Sequence, residues 1–322
     1  MGGRGNRRYR GLVAGALALM LAPATAFAWP DKPVRVYTSL PAGTTVDLIA
    51  RLVAGHLADR LKQPFVVENK AGAQGLIAAK QVAAAPPDGY TLLVAGSISA
   101  LDATLKEGFG ISKEFAYISL LRKSPTFLGV STKRPFKSLR ELIDYGKANP
   151  KKLNYGSIAR TLELYTATIN AAAGVDAVHV PFRGTADALN ALGIGDIDYY
   201  LDAPSAFEPL VQQGLARVLA STSAKRTPDR PDIPSLADAG LTGLDLVITY
   251  GLVAPKGTPD EIVKILGDGV REFAARPDIV EKYLAMGQGI PPWTTPAEYR
   301  AQVAEEIVTY QNAAKLIGFE PQ

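Results

Sequence analysis

Two α/β lobes are what this sequence predicts, and three observations carry the expectation. From Pro33 onward, short β-rich apolar runs alternate with longer amphipathic stretches. The alternation begins again at Phe127, and the chain then closes with a nearly all-helical part over residues 258–317. Strand–helix alternation places strands parallel in one sheet with helices on both faces. A length of 322 residues is enough for about two domains that each bury a core.

Residues 34–40 read as a strand, 45–61 as a helix, 65–68 as a strand, 74–84 as a helix and 90–95 as a strand. A second set follows: strand 127–131, helix 138–148, strand 153–156, a helix to about 173 and strand 177–182. A helix from Thr185, strand 198–201, a short helix around 208–213 and strand 216–221 complete it. Near the C-terminus, Thr258-Pro259-Asp260-Glu261 and Thr295-Pro296-Ala297-Glu298 are helix starts, with proline in the first turn and acid at the dipole's positive end. These last helices have little sheet of their own to cover, so they are expected to return to the first lobe. The chain then crosses between lobes near 124–131 and 249–256. The expected division is a leader at 1–28, a first lobe of 29–127 plus 253–322, and a second lobe of 128–252.

Arg4, Arg7, Arg8 and Arg10, the apolar run 11–22 and then Ala26-Phe27-Ala28 describe a secretory leader cleaved after Ala28, with Trp29 as the first mature residue. That apolar run is too short for the ~20 residues that span a bilayer. The pair Arg7-Arg8 leaves open whether export uses the twin-arginine route. Residues 1–28 hold four of the 35 Lys and Arg and none of the 31 Asp and Glu, so the remainder carries 31 of each sign. The basic balance belongs to the leader, which removes the usual argument for nucleic-acid binding or a basic membrane-docking face. No later segment has the length or apolarity of a membrane span, and the mature chain is expected not to be membrane-embedded. Cysteine is absent, so there are no disulfides, thiolate nucleophiles or Cys-ligated metals.

In parallel sheets, ligands lie at the carboxyl ends of strands, where the next helix begins. Three such turns stand out: Ser39-Leu40-Pro41-Ala42-Gly43-Thr44-Thr45-Val46-Asp47, Asn69-Lys70-Ala71-Gly72-Ala73-Gln74-Gly75 and Asn154-Tyr155-Gly156-Ser157-Ile158-Ala159-Arg160-Thr161. Unpaired amides at a helix start suit a carboxylate or phosphate. Taken singly, each turn is equally a helix cap.

The first two turns belong to a longer pattern. Trp29-Pro30-Asp31-Lys32-Pro33-Val34-Arg35, Ala50-Arg51-Leu52, Pro87-Asp88-Gly89-Tyr90-Thr91-Leu92-Leu93 and Val178-His179-Val180-Pro181-Phe182-Arg183-Gly184 accompany them. Thr222-Ser223-Ala224-Lys225-Arg226 and Gly251-Leu252-Val253-Ala254-Pro255 complete the set. In register from about Trp29 to the C-terminus, these segments resemble the substrate-binding proteins of tripartite tricarboxylate transporters, often called the Bug family. The resemblance implies a two-lobed periplasmic binding protein fold, type II-like, in which each lobe is a mostly parallel sheet flanked by helices. The implied function is capture of a small organic carboxylate in the cleft and delivery to integral membrane transporter subunits. Carried over residue by residue, the first-lobe candidates are Ala42, Gly43, Thr44, Thr45, Gln74 and Ser97. Those on the second lobe are Ser157, Thr161, Thr185 and Asp202.

Two departures matter. Thr44 stands where the family usually has a second glycine, and Ser157-Ile158-Ala159-Arg160-Thr161-Leu162-Glu163-Leu164-Tyr165 replaces a Ser/Gly-rich stretch ending in His. Arg160 is therefore a further candidate, because its guanidinium fork suits bidentate binding of a second carboxylate. Of the nearby aromatics Tyr155, Tyr165, Phe182, Tyr199 and Tyr200, most are expected in the core, with one or two free to stack on a ligand. Asp202 either accepts from a ligand hydroxyl or amine or caps the helix after it.

Enzyme signatures are missing. The two histidines, His56 and His179, are far apart, lack metal-ligand spacing and read as structural. No G-x-S-x-G, Walker loop or H-E-x-x-H occurs, and Gly193-Ile194-Gly195 fails as a dinucleotide loop because Asp198 replaces its last glycine. The expectation is a monomer without metal, cofactor or catalysis. The competing readings are a ligand-sensing receptor for a two-component system and an exported α/β enzyme using acids such as Asp47 or Asp202.

Overall fold

The computed structural model describes residues 29–104, 106, 110–227, 230–316 and 318. The expected leader and its cleavage site lie outside these residues.

Two five-stranded sheets organise the chain. The first uses β1 (Val34–Thr38), β2 (Phe65–Asn69), β3 (Thr91–Gly96), β4 (Phe115–Pro125) and β10 (Val247–Pro255), in the order β2-β1-β3-β10-β4. β1 pairs in parallel with both neighbours, Val36 lying opposite Val67 and Leu92, while β10 runs antiparallel between β3 and β4. The second sheet repeats this plan with β5 (Phe127–Ser131), β6 (Asn154–Ser157), β7 (Val178–Pro181), β8 (Tyr199–Asp202) and β9 (Ala216–Ser221), ordered β7-β6-β8-β5-β9. Here β6, β7 and β8 are parallel and β5 is the antiparallel insert. Each lobe is thus an α/β sheet, mostly parallel on one side, with the crossover helices on its two faces.

In the first lobe, α1 (Thr45–Leu61), α2 (Leu76–Ala83) and α3 (Ile98–Thr104) follow the three parallel strands. In the second, α5 (Arg160–Ala173), α6 (Thr185–Ile194) and α7 (Pro204–Gln212) follow the parallel strands, and α4 (Leu139–Ala148) follows the antiparallel β5. Helix α4 starts where expected because Ser138 accepts from the Glu141 amide at 3.2 Å while Glu141 accepts from the Lys137 amide at 2.8 Å, a reciprocal cap. Pro204 opens α7 in the position that needs no amide hydrogen.

Three elements lie where the pattern left the chain unassigned: α3, β4 and β10. The strands β4 and β10 are buried on both faces over most of their length, so they show none of the alternation that marks a half-exposed strand. They also move the second crossing. Val247 already pairs with Pro125 in the first sheet, so the chain leaves the second sheet at Ser221 and the return lies upstream of the expected 249–256. The expected boundary at 252 therefore cuts through a strand of the first sheet.

Helices α8 (Asp260–Ala274) and α9 (Pro277–Ala285) pack on the first sheet, where Val270, Phe273 and Tyr283 share a core with Val36, Ile49 and Leu252. The C-terminal helix α10 (Pro296–Leu316) departs from expectation. Its Tyr299 and Val303 join the first lobe's other core, but Tyr310, Ala313 and Ala314 join Leu128, Tyr165 and Tyr199 of the second. One helix thus contributes apolar surface to both lobes.

Candidate functional site: a cavity between the two sheets

A cavity of about 580 Å³ opens where the carboxyl ends of the parallel strands of both sheets face each other. Ser39 and Leu40 after β1, Gly96 at the end of β3 and Ser97 after it, and Ile248 and Tyr250 of β10 form the first-lobe wall. The second-lobe wall is Ser157 to Glu163 at the start of α5, with His179, Pro181, Phe182 and Asp202. Apolar groups such as Leu101, Ile158, Leu162 and Phe182 share the lining with hydroxyls and charges.

The first glycine turn is built differently from the expectation. Asp47, buried on α1, accepts from the Gly43 amide at 2.9 Å, from Asn69 Nδ2 at 2.9 Å and from Arg51 at 2.9 Å. Burial raises its carboxyl pKa, but these donors outweigh it and hold the group below the ordinary aspartate range. The anion at this helix start is therefore the protein's own side chain, and an enzymatic role for Asp47 would require breaking that network. Ala42, Gly43, Thr44 and Thr45 lie outside the cavity wall. Thr44 Oγ1 donates to the Pro41 carbonyl at 2.7 Å. What the turn presents to the cavity is Ser39, held close by Gly75: a Cβ there would come within 2.9 Å of Ser39 Cβ, at a φ of +102°. Gln74 falls in the single 3-10 turn Ala73–Gly75.

Five expected residues do come together on the cavity: Ser97, Ser157, Arg160, Thr161 and Asp202. Ser97 and Thr161 come from opposite lobes, and both reach the Tyr310 hydroxyl of α10, which also bonds Tyr165 at 3.0 Å. Arg160 is the first residue of α5 and donates to Glu163 Oε2 at 2.6 Å. Asp202 accepts from Tyr200 at 2.6 Å, from Thr185 at 3.2 Å and from the Ala203 amide at 2.7 Å. Its carboxylate thus holds the Ala203 amide just before α7, and Thr185, outside the lining, donates to it. Tyr155, Tyr165, Tyr199 and Tyr200 are buried, while Phe182 lines the cavity.

His179, read from sequence as structural, lies in the wall. The cause is register: His179 lies opposite Tyr155, and Tyr155 opposite Tyr199, so the three rings stack in a row with centres 5.1 and 5.7 Å apart. Ser157 is two residues beyond Tyr155 on the same face, which brings its Oγ to 2.8 Å from His179 Nε2. Glu163, one turn into α5, lies 3.6 Å from His179 Nδ1. Behind Tyr250, the buried guanidinium of Arg122 sits 4.8 Å from the ring centre. It faces no acidic partner among the described residues, and so adds positive potential near the cavity.

Among the described residues, no group of three His, Cys, Asp or Glu side chains is arranged to hold a metal. No described helix is long and apolar enough to cross a membrane.

Two α/β lobes, strand crossings between them and a ligand-sized cavity at the strand ends define the class of periplasmic binding proteins. Residues 49–317 match the family described as Tripartite tricarboxylate transporter family receptor. The "UPF0065 protein in gbd 5'region" of Cupriavidus necator is 35% identical over 300 residues, covering 92% of this chain and 90% of that protein. The solved structure of R. palustris Rpa4515 with adipate superposes with a TM-score of 0.77 at 32% identity, over 91% of this chain and 100% of the other. That of the periplasmic binding protein BugD gives 0.73 at 28% identity, over 91% and 100%. The chain belongs to the tripartite tricarboxylate transporter receptor family, the Bug proteins, which are periplasmic solute-binding receptors.

Proposed function

We propose that the mature chain, beginning at Trp29, captures a small organic carboxylate in the cavity between its lobes and delivers it to the membrane subunits of a tripartite transporter. One observation carries this reading: a single cavity takes hydroxyls from both lobes, Ser39 and Ser97 on one side and Ser157 and Thr161 on the other, together with apolar groups. Ser97, Ser157, Arg160 and Thr161 are the working contacts, and Asp202 shapes the wall. A ligand touching both walls favours the closed arrangement by its differential affinity. The protein acts as a monomer and leaves its ligand unchanged.

A thermal-shift screen over aliphatic dicarboxylates, tricarboxylates, acidic amino acids and aromatic carboxylates tests the capture. An acid at a hundred times its Kd stabilises the fold by about 2.7 kcal/mol, worth several degrees in Tm for a chain of this size. Absence of any shift across the panel would defeat the reading. A second reading has one observation in its favour, since Ser157, His179 and Glu163 are ordered like a nucleophile, base and orienting acid. Mass spectrometry of the released ligand separates the two: intact acid supports the receptor, and a converted product supports an enzyme.

A further inference from the structure

Four side chains in the second-lobe wall form one connected line. Ser157 Oγ is 2.8 Å from His179 Nε2, His179 Nδ1 is 3.6 Å from Glu163 Oε1, and Glu163 Oε2 accepts from Arg160 at 2.6 Å. All four line the cavity. Around His179, β6 contributes Tyr155, stacked on the imidazole, and Ser157, while α5 contributes Arg160 and Glu163. On its other side β7 is the edge of the sheet.

Counting hydrogens on this line shows how it works. A neutral imidazole has one N–H. Beside Glu163 that hydrogen belongs on Nδ1, because the other tautomer would turn the Nδ1 lone pair toward the carboxylate. Nε2 is then an acceptor, and Ser157 fills it with its hydroxyl hydrogen. A hydroxyl has only one to give, so Ser157 shows the cavity lone pairs, which oppose an incoming carboxylate. Protonating His179 reverses the bond. Nε2–H then donates to Ser157 Oγ, and the Ser157 O–H turns toward the ligand.

We propose that His179 is a positioning residue for ligand recognition, and that a carboxylate docks against Ser157 together with uptake of one proton by His179. The inference rests on the receptor reading of this cavity and extends it to the residue that sets the ligand's charge and the pH of capture. The proton comes from solvent and stays on the imidazole, so the bound pair is carboxylate and imidazolium. In the free protein, burial holds the His179 pKa below its ordinary value; Glu163 opposes this and the Arg160 cation adds to it. A bound carboxylate raises the pKa again. Between the two values affinity falls as pH rises, by at most about tenfold per pH unit for one linked proton.

The probe is adipate, followed by the other acids of the panel. The chain has two histidines, so a long-range proton–nitrogen spectrum of the imidazoles resolves both, and His56 on α1 serves as internal reference. Saturating acid should raise the His179 pKa by about one unit or more and leave that of His56 in place. Titration calorimetry from about pH 5 to 8, above the ordinary carboxyl pKa near 4.3, should show affinity falling with pH between the free and bound pKa values of His179. In His179→Gln, whose amide nitrogen takes the place of Nε2 and donates to Ser157 at every pH, the slope should vanish. In Glu163→Gln it should flatten, because the Nε2–H tautomer becomes available to the neutral ring. Tight binding with a flat profile, an unmoved His179 pKa, or a wild-type slope in His179→Gln would overturn this inference and leave the receptor reading standing. Failure of every acid to bind would remove both.

Discussion

Arg160 shows how one neighbour changes the work of a residue. Read alone, it is a cation at a helix start, suited to a ligand's second carboxylate. In the fold its guanidinium is held against Glu163, so it reaches the ligand as part of a pair whose charges offset each other. A dicarboxylate should still gain from it through a charged hydrogen bond of about 1.5–3 kcal/mol. Arg160→Ala is expected to weaken dicarboxylate binding by roughly ten- to a hundredfold, with a monocarboxylate affected less, as read by titration calorimetry. Equal affinity for the dicarboxylate would end that assignment. That the hydroxyls of Ser97, Ser157 and Thr161 line one cavity was legible because they sit where strands give way to helices. His179 was not, since only the pairing of β6 with β7 brings it to Ser157 across a gap of 22 residues. Gly43 shows the opposite failure: its turn looked like an anion site, and Asp47 four residues on supplies the anion.

Elements were legible in proportion to how far their patterns are local. The helix over 45–61 was read with the bounds that the structure shows, because its apolar spacing, Val46, Ile49, Ala50, Val53 and Leu57, is local and buries one face. So were β5 and β9. The strands β4 and β10 escaped because long buried strands lack alternation, and because β10 pairs with segments more than a hundred residues earlier. Their fit is close. At Gly251 in β10, an added Cβ would overlap the Tyr299 ring of α10. Gly251→Ala should therefore destabilise the protein by about 1–3 kcal/mol through overpacking, seen as a lower midpoint in urea with little change in slope. A stability equal to wild type would show that α10 shifts freely over the sheet.

At the scale of the molecule, the crossings and the C-terminal helix decide how the lobes move. Only Thr126 separates β4 from β5, and it is tied to the start of the other crossing: its amide donates to Thr222 Oγ1 at 3.0 Å and its carbonyl accepts from the Thr222 amide at 2.8 Å. Beside them α10 spans the lobes. Glu306 accepts from Ser99 at 2.5 Å and Thr249 at 3.1 Å on the first-lobe side, while Tyr310 stacks on Tyr165 of the second at 5.6 Å. Closure about this seam is expected to reduce the radius of gyration in solution scattering when a binding acid is added. An unchanged radius with the acid bound would mean that capture needs no closure.

Sequence alone determined the fold class, the family and the places where strands hand over to helices, because local periodicity, caps and a chain-long series of motifs carry that information. Tertiary structure decided which of those places face each other. Pairing of β6 with β7 put His179 beside Ser157, the β1–β2 pair brought Asn69 to Asp47, and packing laid one helix across both lobes. Such contacts depend on register and on the relative placement of two sheets, which no stretch of neighbouring residues encodes.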